Sequence, residues 1–243
     1  MWDDPVSLDR LTRLVLAATL AFALWQGGRW LAEDHLLFHT VEISGAQQPE
    51  TLAAAPTIIA TLRGGFFSLD LEVARREFEL LPWVREARVR RVWPDRLLVE
   101  IEEHVPAAAW NDLAVLNTHG EVFPVPPWTG LPRVLAPEGS EAEVARRFAE
   151  FTARLGAHGW RIESVRVDAR RAWQLALSGG PEPETAGREL VLELGRERLE
   201  ERLHRFVTFY PLAAAQYDGI HRVDMRYPNG FAVRIQGSAG RNT

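Results

Sequence analysis

The chain has 243 residues, of which 47% are hydrophobic and 25% are charged, a composition typical of globular proteins and unlike that of disordered tails. Its formal net charge is −5, all 28 basic residues are arginines, and no basic run is long enough to indicate nucleic-acid binding. The chain contains no cysteine, which excludes disulfide-stapled scaffolds, thiolate metal sites and cysteine nucleophiles.

The first predicted element is an apolar helix at Leu14–Ala32. From Leu14 to Trp25 the only polar residue is Thr19, whose hydroxyl can bond back to its own helix. About 19 residues at a rise of 1.5 Å span roughly 28 Å, which is close to the hydrocarbon thickness of a bilayer. Arg29 lies near one end, where its side chain can reach the interface. We interpret the segment as a single membrane-spanning helix.

Two other interpretations of this segment are a cleaved signal peptide and a buried core helix. The signal peptide would be cut at Ala21-Phe22-Ala23, but that leaves an apolar region of only about seven residues, so we favour the uncleaved anchor. Arg10 and Arg13 precede the segment, whereas acidic residues follow it. This charge bias predicts residues 1–13 as a cytoplasmic tail, with the rest of the chain outside the cytoplasm.

The module that follows the anchor has the predicted order strand, helix, helix, strand, strand. The strands are predicted at Phe38–Ile43, Ala87–Trp93 and Leu97–Ile101, one helix at Pro56–Leu62, and the other from Ser68–Asp70 to Leu81. Pro56 is assigned to the first helical position, where its missing N–H costs nothing. Apolar residues recur on the second helix at Leu71, Ala74, Phe78 and Leu81. Two amphipathic helices on one face of a small sheet make an α+β module.

The second module is also predicted to be α+β, with a mostly antiparallel sheet, two helices and a C-terminal edge hairpin. The helices are predicted at Glu141–Leu155 and Glu197–Tyr210, and the β-segments at Leu113–Leu116, Val122–Phe123, Ile162–Val167, Trp173–Leu177, Leu190–Leu194, Val223–Tyr227 and Phe231–Ile235. A proline-rich passage at Pro124–Pro137 cannot be helical. Gly179–Gly187 is predicted to be a flexible loop and Gln236–Thr243 a loose polar tail.

The run Leu81–Asp112, LPWVREARVRRVWPDRLLVEIEEHVPAAAWND, resembles the signature of the FtsQ/DivIB family of bacterial division proteins. The matching positions are Pro82-Trp83-Val84, Trp93-Pro94-Asp95, Glu103-His104 and Pro106–Trp110, followed downstream by Arg170–Leu175, Leu194–Arg196, Arg205–Val207, Tyr210-Pro211 and Val223–Tyr227. The resemblance covers essentially the whole chain. It implies a POTRA domain at 37–106, a family-type β domain at 107–236, a flexible tail at 237–243, and a single-pass topology with the N-terminus inside.

Candidate catalytic groups are few, and no nucleotide-binding or hydrolase motif occurs. His35 and His39 are four residues apart, but they straddle the exit of the anchor and the first strand, so they lack the single helix face that a metal site needs. Glu102, Glu103 and His104 lie at a strand end, where successive residues face opposite sides, and we predict them to be solvated. The sequence therefore predicts no catalytic residue, cofactor, metal or small-molecule substrate.

The binding signal lies in the C-terminal hairpin. Val223, Met225 and Tyr227 are predicted to share one face of its first strand. If its second strand is the last of the sheet, the outer backbone groups can pair with an incoming strand. Arg170 and Arg171, exposed on a nearby turn, could then pair with acidic residues of the guest. The residues alone leave open the alternative of a plain terminal hairpin with Tyr227 in the core and solvated arginines.

The family resemblance implies that this region holds the periplasmic part of the FtsB–FtsL coiled-coil pair by strand addition. Arg226, Tyr227 and Gly230 match the family's contact positions, and Arg171 matches a basic position that meets an acidic residue of FtsB. The predicted partner-binding residues are Arg170, Arg171, Arg226, Tyr227, Asn229, Gly230, Phe231 and Val233.

The implied protein is a non-enzymatic divisome scaffold of the inner membrane at the division septum, with further divisome contacts through the POTRA and membrane regions. One alternative, a POTRA-type chaperone or translocation component, needs repeated POTRA units or a β-barrel. Another, a cell-wall hydrolase, needs a catalytic glutamate.

Overall fold

The computed structural model describes residues 5–32, 38–180 and 189–235. The chain divides into two compact units, residues 1–103 and residues 104–243. The predicted tail at 237–243, residues 181–187 of the predicted loop, and His35 lie outside the described residues.

The first helix, α1, spans Pro5–Ala32 and is longer than the predicted anchor. Pro5 occupies the first helical position, where proline is tolerated, so most of the predicted polar tail is helical. Its stretch Asp9–Gly28 is long and apolar enough to cross a membrane, and none of it is buried against the protein. The core-helix interpretation is therefore wrong. As expected, the Thr19 hydroxyl donates to the carbonyl of Val15, within the same helix.

The rest of the first unit is a three-stranded sheet with two helices, in the predicted order. Its elements are β1 (Thr40–Ser44), α2 (Pro49–Thr61), α3 (Leu71–Glu79), β2 (Val84–Val92) and β3 (Arg96–Glu103). The central strand β3 pairs in parallel with β1 and antiparallel with β2. Asp70 caps α3 as predicted, because its carboxylate accepts the backbone N–H of Glu72 at 2.9 Å. Phe78 on the predicted apolar stripe is fully buried.

Helix α2 starts at Pro49, seven residues before the predicted start at Pro56. Two features favour this earlier start. Pro49 is itself suited to the first helical turn, and the backbone N–H of Gln48, just before it, donates to the Glu103 carboxylate at 3.1 Å. Pro56 lies inside the helix, and the turn before it buries Ala55 in the core. The assignment of Pro56 to the first helical position is therefore wrong.

The second unit contains a nine-stranded mixed sheet in the order β12-β11-β10-β9-β8-β7-β4-β5-β6. Its elements are β4 (Pro106–Trp110), β5 (Ala114–Asn117), β6 (Val122–Phe123), β7 (Arg133–Leu135), α4 (Glu141–Gly156), β8 (Trp160–Val167), β9 (Trp173–Gly179), β10 (Leu190–Gly195), α5 (Leu199–Ala214), β11 (Ile220–Asp224) and β12 (Ala232–Ile235). Most neighbouring strands are antiparallel, as predicted, while the pairs β4–β7, β7–β8 and β10–β11 are parallel. Strands β4 and β7 were not predicted, and β7 lies inside the proline-rich passage.

The predicted apolar stripes of α4 and α5 form the core of this unit. Buried members are Val144, Phe148, Phe151 and Leu155 of α4 and Leu199, Leu203, Phe206, Val207 and Tyr210 of α5. They belong to one cluster that also contains the buried side chains of β8, β9 and β10. Burial of these large side chains supplies the main stabilising free energy of a chain without disulfides.

The first strand of the C-terminal hairpin differs from its prediction at Val223–Tyr227, because β11 ends at Asp224. The Asp224 carboxylate accepts the backbone N–H of Arg226 at 3.0 Å, and this local turn takes the chain out of the sheet. Met225 is still fully buried, whereas Tyr227 is 55% exposed. The prediction that Tyr227 shares one face with Val223 and Met225 is therefore wrong, and so is the alternative that places Tyr227 in the core.

Candidate strand-docking site

Strand β12 is the terminal strand of the nine-stranded sheet, as predicted. It pairs antiparallel with β11 on one side, in a register that sets Val223 opposite Val233. Among residues 38–180 and 189–235, no strand pairs with its other side. An edge of this kind presents N–H and C=O groups that an incoming strand can bind.

A groove of 570 Å³ runs beside this edge, between the C-terminal half of α5 and β12. Phe209 and Leu212 of α5 line it and are 47% and 68% exposed. Phe231 and Val233 line its other wall and are half-buried against the core. An exposed apolar groove next to an open edge can receive apolar side chains of a bound strand, while the backbone forms the ladder.

Two arginines of α5 hold the loop at residues 225–231, which connects β11 to β12. The Arg205 guanidinium donates to the carbonyl of Tyr227 at 2.9 Å and forms an ion pair with Glu201 at 2.7 Å. Arg202 is 8% exposed and donates to the carbonyl of Leu194 at 2.5 Å, and it also reaches the carbonyl of Arg226 at 3.4 Å. These contacts fix the backbone on which Tyr227 stands.

Burial has an electrostatic consequence at Arg202. Desolvation lowers the pKa of this guanidinium from its ordinary value. Gly195 makes room for it, since a Cβ on Gly195 would lie 2.7 Å from a terminal nitrogen of Arg202. Neither arginine was predicted to belong to the site. The available signal was a charged residue, Arg202, at helical spacing inside the stripe of Leu199, Leu203 and Phe206.

Arg226 belongs to an ion-pair cluster on β10 and β11. Its guanidinium lies 2.7 Å from the Asp224 carboxylate and 3.1 Å from that of Glu193. The hydrogen bond from Arg226 holds the pKa of Asp224 below its ordinary value, and the Asp224 carboxylate in turn raises the pKa of Arg226. Arg222 also pairs with Glu193. Arg226 is 60% exposed, as in the alternative interpretation, but it is ion-paired rather than free.

Arg170 and Arg171 lie on the turn between β8 and β9, and both are exposed. Arg171 forms an ion pair with Glu143 at 2.8 Å, with both side chains nearly half-exposed. Arg170 forms no ion pair with any described residue, and its backbone N–H donates to Asp168 at 2.8 Å. The prediction that these arginines are exposed is correct, but Arg171 already has an intramolecular partner.

The strand register brings the predicted residues to one end of the sheet. The turn that carries Arg170 and Arg171, here called the arginine turn, leads into β9 at Trp173, which is opposite Gly195 at the end of β10. Near that end of β10, Glu193 is opposite Asp224 of β11. Asp224 is in turn opposite Ala232, the first residue of β12. The arginine turn and the 225–231 loop thus lie at the same end, three strand spacings or about 14 Å apart. Asn229, Gly230 and Phe231 line the groove from the loop, and Val233 follows on β12.

The charged group at Glu102, Glu103 and His104 does not converge, but the prediction that it is solvated is wrong in two places. Glu103 accepts the backbone N–H groups that precede α2. The His104 side chain is 11% exposed, bonds to Asn117 at 2.8 Å and stacks on Phe123. No cluster of three or more potential metal ligands occurs among the described residues.

The helix α1, a β-α-α-β-β unit and a second sheet unit together define a class, the single-pass membrane proteins that carry a POTRA domain. Comparison with known families agrees. Residues 37–104 match the FtsQ-type POTRA domain, and residues 108–226 match the C-terminal domain of the cell division protein FtsQ/DivIB. The second match ends at Arg226, so Tyr227 and β12 lie beyond it.

Individual relatives match nearly the whole chain. The chain is 42% identical to the cell division protein FtsQ of Nitrosospira multiformis over 96% of this chain and 99% of the relative. It is 34% identical to FtsQ of Burkholderia pseudomallei, over 98% of this chain and 95% of the relative. It is 31% identical to FtsQ of Bordetella pertussis, over 97% of this chain and 93% of the relative. The chain belongs to the FtsQ/DivIB family, and its role lies in bacterial cell division.

Proposed function

We propose that the protein is a divisome scaffold that captures the periplasmic part of the FtsB–FtsL pair by adding a strand of FtsB to β12. The observation that carries this proposal is the outer edge of β12, which no described strand covers. Main-chain hydrogen bonds along this edge supply affinity, and the side chains around it supply selectivity. Each ladder bond contributes about 0.5–1.5 kcal/mol net, so several are needed for a stable complex.

The surroundings of the edge favour a guest strand with apolar and acidic residues. Phe209, Leu212 and Phe231 offer an apolar groove beside the strand. Tyr227 is exposed on a loop that Arg205 holds in place, so the backbone that carries its ring needs little ordering when a partner binds. Arg170 adds an unpaired positive charge, among described residues, at the same end of the sheet.

The proposed location is the inner membrane at the division septum, with residues 1–13 in the cytoplasm and both folded units in the periplasm. The charge bias around α1, with Arg10 and Arg13 on the N-terminal side, supports this orientation. The protein acts without a reaction of its own, by linking early and late division proteins and so regulating septal peptidoglycan synthesis. The POTRA unit and the anchor provide contacts with other divisome proteins.

The test is capture of purified periplasmic FtsB–FtsL by the full chain in nanodiscs. We expect Tyr227→Ala to weaken binding by a factor of about ten or more, which is typical of an aromatic anchor at an interface. Leu113→Ala is the matched control, because Leu113 is 83% exposed but lies before β5, near the opposite end of the strand order. Normal binding by Tyr227→Ala, with an unchanged thermal unfolding midpoint, would disprove the proposed site.

A further inference from the structure

The start of β1 is tied closely to the membrane anchor. Residues 33–39 join α1 to β1, and a chain of that length spans at most about 28 Å. Strand β1 pairs in parallel with β3, so Thr40 lies beside Arg96 at the beginning of β3. The turn that connects β2 to β3 is therefore at the same end of the sheet as the residues that leave the membrane.

Contacts join three segments at this end of the POTRA unit. The His39 backbone N–H donates to the carbonyl of Asp95 at 3.0 Å, which attaches the chain after the anchor to the β2–β3 turn. The rings of Phe38 and Phe66 lie 5.6 Å apart, and those of Phe66 and Phe67 lie 5.1 Å apart. The loop between α2 and α3 thus meets the same end. We name Arg63, Phe67 and Trp93 the membrane-proximal tip.

Trp93 has an unusual exposure for its residue type. It is 77% exposed, which makes it the most exposed tryptophan among the described side chains, and Phe67, on the loop between α2 and α3, is 52% exposed. The tryptophans elsewhere in the two folded units are mostly buried, with Trp83, Trp110, Trp160 and Trp173 at 8% or less. These two exposed aromatic side chains lie at the end of the unit that follows the anchor, and aromatic rings of this kind are enriched at bilayer interfaces.

One arginine at this end is exposed and can reach the phosphates of lipid headgroups. Three carboxylates at this end have partners within the unit: Asp95 lies 3.1 Å from His39, Glu42 pairs with Arg96 at 3.0 Å, and Asp70 caps α3. Arg63 is exposed and forms no ion pair with any described residue. A tryptophan, a phenylalanine and an unpaired arginine are the side chains that settle at the boundary between lipid headgroups and acyl chains.

We propose that the membrane-proximal tip rests in the headgroup layer of the bilayer that α1 crosses. Lipid is favoured over a protein partner because the tether keeps this end within about 28 Å of the membrane surface. This contact adds a second attachment to the anchor and holds this end of the POTRA unit against the bilayer. It is independent of strand capture at β12, which lies in the other unit.

The experiment uses the full chain in vesicles of phosphatidylethanolamine and phosphatidylglycerol, at one chain or fewer per vesicle and with no other protein. Because the chain has no native cysteine, Phe67→Cys carries a single environment-sensitive fluorophore. The matched reporter is Leu80→Cys, also apolar, 75% exposed and in the same unit. Leu80 lies just before β2, whose nine residues put it roughly 27 Å from the Trp93 turn.

We expect lipids with a shallow spin label to quench the fluorophore at position 67, and iodide in the buffer to quench it at least threefold less than at position 80. Trp93→Ala in the Phe67→Cys chain should remove that protection. Circular dichroism should show both variants folded. Equal iodide quenching at the two positions, no effect of Trp93→Ala, or protection that needs an added division protein would overturn the proposal.

Discussion

The two edge strands of the nine-stranded sheet differ in length and in their neighbouring prolines. At one end, β6 has only two residues, Val122 and Phe123, and Pro124 follows at once. At the other end, β12 has four residues without proline, and its last residue, Ile235, is 40% exposed. Short strands and prolines prevent edge-to-edge pairing, because they offer few backbone donors.

This difference indicates which edge is available for pairing. The proline-rich passage limits strand pairing at β6, whereas the groove and the exposed ring of Tyr227 lie near β12. The polar anchors near the two edges also differ. Asn117 fixes the β5–β6 turn, whereas Arg202 fixes the loop before β12. Substitutions at matched positions of the two edges can therefore separate docking from folding.

The largest expected effect is that of a proline in each edge strand. Val233→Pro in β12 should weaken FtsB–FtsL capture by a factor of about ten or more, since proline removes a backbone N–H and its ring distorts the strand beside the lost donor. Val122→Pro in β6 should leave capture unchanged. Titration of the full-length variants in nanodiscs measures both effects. Equal losses of FtsB–FtsL capture by the two proline variants would show that β12 is not the docking edge.

Replacement of the two polar anchors should separate stability from capture. Arg202→Met should lower the free energy of unfolding by about 2 kcal/mol and weaken capture about tenfold, because the carbonyls of Leu194 and Arg226 lose their donor. Asn117→Ala should lower it by about 3 kcal/mol, because four hydrogen bonds of Asn117 are lost.

Denaturant unfolding measures the free energy of unfolding of both variants. A binding titration, at a temperature where both are folded, measures their capture of FtsB–FtsL. Asn117→Ala should bind normally despite its greater loss of stability. A loss of capture that simply follows stability in both variants would show that Arg202 has no specific role in positioning the loop.

A smaller effect is expected at the ion pair of Arg171 and Glu143. Arg171→Ala should change stability by less than about 0.5 kcal/mol, since the pair is exposed. It should weaken capture about threefold at low salt if the guanidinium meets an acidic residue of the guest. Glu143→Gln frees Arg171 and should leave capture equal or stronger. Weaker capture by Glu143→Gln would argue against a contact between Arg171 and the guest.

The smallest expected effect concerns acid stability at the open edge. The hydrogen bond from Arg226 lowers the pKa of Asp224 in the folded state below its ordinary value of 3.8. The pair therefore stabilises the fold at pH values above 3.8. That contribution is lost as the pH falls through the folded-state pKa. Asp224→Asn should therefore lose less stability than the parent chain between pH 5 and pH 2.

Asp112→Asn is the matched control for this prediction. Arg133 lowers the pKa of Asp112 in the same direction, but the Asp112 side chain is half-exposed, so solvent screens the pair. Thermal unfolding midpoints across the acid range should change their slope more for Asp224→Asn than for Asp112→Asn. Identical profiles for Asp224→Asn and the parent chain would show that the pair does not stabilise the fold.

Many elements followed from short-range patterns in the chain. The apolar stripe from Val144 to Leu155 needs only helical periodicity, and the Asp70 cap needs only its own following residues. The terminal hairpin was predictable from alternation around Pro228-Asn229-Gly230, although its first strand ends earlier than predicted. These features are local, because each depends on neighbours within about one or two turns.

The errors have a common physical cause. Tyr227 leaves the inner face because Asp224 turns the chain, and Pro56 is internal because Glu103 accepts backbone N–H groups just before α2, more than fifty residues away in sequence. In the sequence, Arg202 is a charged residue within an apolar stripe, and its role becomes visible only in the fold, where it donates to the carbonyl of Arg226 in the loop before β12. Contacts between distant residues exist only once the chain has folded.

The sequence by itself determined the long apolar N-terminal helix, the family, the α+β class of both units and the position of the last strand at the edge of the sheet. Only the tertiary structure decided that Tyr227 is exposed, that α5 and β12 enclose a groove, and that Arg202 and Arg205 hold the loop between β11 and β12. Periodicity and turn residues act along the chain, whereas the shape of an edge depends on which distant side chains and carbonyls meet there.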